Sequence, residues 1–133
     1  MTTPTAFEHK ELEQALFYIE DIMDRALCQF FVLGETAEQV RNDSLLNLDK
    51  IVVGIKKNEF IGARSLLHIV LPDVEFNEDT KKLNLEFKGV PIEIRIIQKK
   101  WDFLKDLDRT FYGVTQFWLP NPFSKYWKVK QLV

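Results

Sequence analysis

Residues 30–55 read FFVLGETAEQVRNDSLLNLDKIVVGI. Phe30 to Leu33 is a short apolar run suited to a buried strand, and Gly34 ends it. Thr36, with Gln39 three residues on, is placed to cap a short helix that runs to about Asn42. Leu48 to Ile55 is rich in β-branched residues and reads as a second strand. Asn47 and Asp49 share one face at the mouth of that strand. Carboxylates in such a place commonly hold a metal ion, and here one of the pair is an amide.

On the N-terminal side, Leu12, Ala15, Leu16, Ile19, Ile22, Met23, Ala26 and Leu27 recur at helical spacing, which predicts a helix from Glu8 to about Gln29. On the C-terminal side, Asn58 is placed to cap a helix with the stripe Phe60, Ala63, Leu67 and Val70, stopped by Pro72. The segments KLNLEF and VPIEIRII flank Lys88-Gly89, a hairpin signal. Asp102 is placed to cap a short helix with Phe103, Leu104 and Leu107. From Gly113 on, the prolines of LPNPF argue against regular structure, and a last short helix holds Tyr126 and Trp127. The order helix, strand, helix, strand, helix, hairpin, helix predicts an α/β (α+β) domain with a small mixed sheet and helices mainly on one face.

The chain has 133 residues, enough for one domain with one core, so residues 1–133 are read as a single unit. Residues 1–7 are read as a flexible N-terminus and 113–133 as an aromatic and basic C-terminal segment. No apolar run is long enough to span a membrane. MTTPTAFEHK lacks the marks of a signal peptide, and the expected location is cytoplasmic. The single Cys28 excludes an internal disulfide and a cysteine zinc site, and its apolar setting suits a core thiol. The net charge of -2 gives no broad grip on nucleic acid.

After Asp108 the chain has no acidic side chain, only Arg109, Lys125, Lys128 and Lys130 among aromatics. That tail either folds back as core, with Trp118 and Trp127 buried against the sheet and first helix, or stacks on a base. His9 and His68 match no metal spacing. Lys50, Lys56 and Lys57 flank the second strand, where they either meet phosphate or are solvated.

Alternation in VPIEIRII puts Val90, Ile92, Ile94 and Ile96 on one face and Pro91, Glu93 and Arg95 on the other, wetter one. If the two strands are neighbours, Asp49 and Glu93 converge, and two carboxylates brought together need a cation or a proton between them. Mg²⁺ suits such oxygen ligands. The alternative pairs Glu93 with Arg95 or a neighbouring lysine and leaves Asp49 to cap a turn.

VLGETAEQV, LNLDKIVVGI and GVPIEIRII together resemble the nucleotidyltransferase superfamily, with its polymerase-beta-like fold, over roughly residues 17–97. That family has an apolar strand ending in Gly-Gly or Gly-Ser, a short helix, an Asp-x-Asp or Asp-x-Glu pair opening the next strand, and a third acid on a later one. The resemblance implies Mg²⁺ ions that orient a nucleoside triphosphate for transfer of its nucleotide to an acceptor hydroxyl. It matches Gly34 to the family glycine, Asp49 to the second acid and Glu93 to the third. Asp49 and Glu93 would then be catalytic and metal-binding, Asn47 would help hold the metal, and the turn of Gly34, Glu35 and Thr36 would meet the phosphates with Asn47. Two positions depart from the pattern. Asn47 stands where the first acid belongs, which removes a full negative charge, and Glu35 stands where a second Gly or Ser belongs. Two functions stay open: a Mg²⁺-dependent transferase, or a degenerate member that binds a nucleotide or a protein without turnover.

Overall fold

The computed structural model describes residues 7–74, 81–98 and 107–120. The first helix, α1, spans His9–Arg25. Glu8 precedes it in a capping box, in which the Glu8 backbone N–H donates to Glu11 Oε1 at 3.1 Å. Its stripe Leu12, Ala15, Leu16, Ile19, Ile22 and Met23 is buried. The helix stops short of the expected Gln29 because Leu27 turns left-handed, with φ 54°. Leu27 N–H then bonds Asp24 O and Cys28 N–H bonds Met23 O, which closes the last turn as a Schellman motif.

Glycine is the usual residue at that position, and Leu27 is 80% exposed, so its side chain recovers little by packing. Leu27→Gly is therefore expected to stabilise the fold. The left-handed strain relieved is about 1–2 kcal/mol, and glycine's extra chain entropy costs about 0.5–1 kcal/mol. A rise in the urea midpoint with an unchanged slope checks this; a fall would contradict it.

Strand β1 (Phe31–Val32), helix α2 (Gly34–Arg41), strand β2 (Ile51–Lys56) and helix α3 (Lys57–Val70) follow. Thr36 lies inside α2 rather than at its cap, which is Leu33. Asn58 likewise lies inside α3, whose cap is Lys56. β2 opens at Ile51, not at Leu48, because Asn47 takes φ 58° and Leu48 pairs only in an isolated bridge with Phe7. Strands β3 (Lys82–Phe87) and β4 (Val90–Ile97) form the expected hairpin. Its two turn residues, Lys88 and Gly89, both have positive φ, as a type I′ turn requires.

The sheet runs β1-β2-β4-β3, with β2 and β4 parallel and both outer pairs antiparallel. Its first face carries Val32, Ile51, Val53, Ile55, Ile92, Ile94 and Ile96 into one core with the apolar sides of α1, α2 and α3. The domain is thus α/β, with a mixed sheet and its helices packed on that face. No helix among the described residues is long and apolar enough to cross a membrane.

The chain then differs from expectation. Leu107, read as helical, opens strand β5 (Leu107–Tyr112), which pairs antiparallel with β6 (Thr115–Pro120). Gly113, with φ 63°, begins the two-residue turn between them. Leu119 and Pro120 of the supposedly irregular LPNPF thus end a strand. The rest of the Asp102 helix and the helix holding Tyr126 and Trp127 fall outside the described residues.

Candidate functional site

The second face of the sheet carries the polar residues. Register places Val52 of β2 beside Glu93 of β4, and Asn84 of β3 on the other side of Glu93. Lys50 lies two residues before Val52, and Arg95 two after Glu93, so strand alternation brings both toward the Glu93 side. Lys50 Nζ donates to Glu93 Oε1 at 2.9 Å. Arg95 Nε donates to Glu93 Oε2 at 2.5 Å. Lys82 Nζ lies 3.8 Å from Oε1. Glu93 itself is buried, at 5% exposure.

A buried carboxylate is unfavourable unless paired. Burial pushes the Glu93 carboxyl up, but the hydrogen bonds and charges of Lys50 and Arg95 outweigh it and hold the group below the usual carboxylate range. Both oxygens of Glu93 are thus engaged by the protein's own cations. The pairing of Glu93 with Arg95 and a lysine, one of the two arrangements open from the sequence, is the one found.

Asn47 and Asp49 lie just ahead of β2 and are exposed. Among the described residues, the charged groups that pair with Glu93 are Lys50, Lys82 and Arg95. Gly34 has φ 58°, and nothing lies within 4 Å of where a Cβ would stand. Glu35 beside it is exposed. Thr36 is buried, and its hydroxyl accepts the Val52 N–H at 3.1 Å, tying α2 to β2. Gly34 and Glu35 are the open part of that turn.

These side chains do not fit a divalent ion. Among the described residues, no three His, Cys, Asp or Glu side chains gather as a metal set. The buried acid has cations on both oxygens, and a Mg²⁺ ion at Glu93 would have to displace Lys50 or Arg95.

Trp118 is half-buried and packs on Phe31, Leu33, Val52, Ile97 and Leu107, a small apolar cluster on this same face. The Arg109 guanidinium lies 4.9 Å over its ring. Trp118 thus anchors the β5–β6 hairpin to the second face of the sheet, and Trp127 falls outside the described residues. Cys28 is buried, and burial, with the Glu59 charge, pushes its thiol up to about 12. It is a core thiol with little thiolate character.

The arrangement of helices around a mixed sheet resembles the nucleotidyltransferase fold of solved structures. One solved structure it resembles is a Thermotoga maritima protein provisionally assigned as a nucleotidyltransferase. The TM-score is 0.68 at 12% identity, over 96% of this chain and 88% of that one. Another is the lincosamide antibiotic adenylyltransferase LnuA bound to lincomycin, with a TM-score of 0.58 at 14% identity, over 86% of this chain and 87% of that one. No protein-family model matches the chain, and no curated protein matches it in sequence.

The Lys50–Glu93 contact had a signal in the sequence. Lysines beside the strand and an arginine two residues from the buried acid were visible. The parallel register that makes them converge was not.

Proposed function

We propose that this chain is a nucleotide-binding protein on a nucleotidyltransferase fold, and that it does not carry out metal-dependent nucleotide transfer. One observation carries the reading. Glu93, the acid that a transferase would use on a metal, is held by Lys50 and Arg95. Transfer of a nucleotide relies on metals that neutralise developing charge and align the attacking and leaving oxygens. A carboxylate neutralised by side chains leaves little charge for a cation. The amide at Asn47 removes a second anionic ligand. The open turn at Gly34 supports the nucleotide part of the reading, because backbone with no side chain above it lets phosphate approach closely.

The exposure of Asp49 ahead of β2 favours the other reading, an active transferase acting on an acceptor hydroxyl. That enzyme would require Glu93 to leave both cations, with Asn47 or Glu35 completing the ligands around Mg²⁺.

Calorimetric titration with each of the four ribonucleoside triphosphates tests the proposal. Saturable binding of at least one is expected. Absence of binding to all four, with and without Mg²⁺, would overturn it.

A further inference from the structure

We propose that Lys50, Lys82 and Arg95, gathered by Glu93, form an anion site that takes a polyphosphate chain directly, without a divalent cation. The inference deepens the nucleotide-binding reading above and rests on it for the identity of the ligand.

Three cations surround one carboxylate, at 2.9, 3.8 and 2.5 Å. Four side chains with a net charge of +2 therefore share one patch of the sheet. Asp49, next to Lys50 in the chain, leaves the patch still positive. Glu86 is on the same strand as Lys82 but four residues along it, roughly 13 Å at strand rise, beyond the ~8 Å over which exposed charges are felt at physiological salt.

Their exposures give the cluster a direction. The Glu93 side chain is 7% exposed, whereas Arg95 is 20%, Lys50 39% and Lys82 55% exposed. The acid lies beneath and the cations lie between it and solvent. An incoming ligand meets ammonium and guanidinium groups, not carboxylate. Glu93 acts as a positioning residue that holds flexible cations in one place before binding, which reduces the ordering cost on association. Arg95 meets Glu93 through Nε, so its terminal nitrogens, the pair that grips phosphate in a fork, are not the atoms engaged there.

A divalent ion on a triphosphate ordinarily supplies the positive charge that a carboxylate site lacks. Here the side chains supply it. Added Mg²⁺ should compete with the site for the phosphate oxygens rather than bridge ligand to protein.

The test is calorimetric titration with sodium tripolyphosphate and with ATP, each in EDTA and in excess Mg²⁺. Wild-type protein is expected to bind both ligands in EDTA, with no gain from Mg²⁺. The double variant Lys50→Ala/Lys82→Ala is expected to weaken both at least ten-fold. That variant leaves the Arg95–Glu93 pair in place, and its thermal melt checks that it is folded. Should it not fold, Lys82→Ala alone, at the most exposed position, is expected to weaken tripolyphosphate several-fold. Lysine-dependent binding of tripolyphosphate without ATP binding would keep the anion site and end the nucleotide reading. ATP binding that needs Mg²⁺ or ignores the lysines would keep the nucleotide reading and overturn the anion site. Silence toward both ligands would end both.

Discussion

Replacing Glu93 with Ala is expected to destabilise the fold by about 2–3 kcal/mol. Removing one member of a buried ion pair typically costs about 3–5 kcal/mol, because the remaining charge is buried without a partner. Here Arg95, Lys50 and Lys82 retain 20–55% exposure and turn partly to water, which reduces the loss. Glu93→Gln keeps the shape and some hydrogen bonding, and should lose less. The pH dependence has a definite sign. The folded pKa of Glu93 lies below its ordinary value of 4.5, so the unfolded chain binds the proton more readily. The contribution is complete above that value, and is lost as pH falls from there through the lowered folded pKa. Urea unfolding from neutral pH into acid should show the stability gap between wild type and Glu93→Gln closing in that window. A gap that widened toward acid would contradict the ion-pair account.

Gly54→Val is expected to cost about 3 kcal/mol or more, and Gly54→Ala about 1–3 kcal/mol, through overpacking. Gly54 lies in β2 opposite Phe31 of β1. A Cβ there would sit 2.6 Å from Phe31 Cε2 and 2.9 Å from Leu33 Cδ1. Both neighbours are fully buried, so neither side chain yields without disturbing the cluster beneath Trp118. Alanine suits a strand better than glycine does, but that gain is smaller than a clash with an aromatic ring. Phe31→Leu combined with Gly54→Ala should recover part of the loss, since the shorter side chain vacates the space. Equal stability of Gly54→Ala and wild type would show that the two strands stand farther apart than described.

Much of the sheet was legible because its signals are local. Lys88-Gly89 announced the β3–β4 turn, and alternation in VPIEIRII separated the helix-facing isoleucines from Glu93 and Arg95. The start of β2 was misread because Asn47 and Asp49 look like alternating strand residues, whereas Asn47 takes a left-handed conformation that breaks the alternation. The β5–β6 hairpin was missed for a different reason. Phe117, Trp118, Leu119 and Pro120 form a continuous apolar run in which Pro120 suggested a loop, although a proline at a strand end removes no essential ladder bond. Gly113 was its one local sign. The state of Glu93 depends on Lys50, 43 positions away, and on Lys82. Spacing along one strand revealed Arg95 as a partner, while the parallel β2–β4 pairing that brings in Lys50 is a tertiary fact.

Label transfer from α-labelled ribonucleoside triphosphates, in Mg²⁺, to the protein itself, to bulk RNA and to a metabolite extract tests most directly whether the internal pairing of Glu93 replaces metal chemistry. No transfer above background is expected, from wild type and from Asp49→Ala or Glu93→Ala alike. Robust transfer by wild type that disappears in both variants would contradict the account and make the chain a transferase whose Glu93 leaves Lys50 and Arg95 to bind metal.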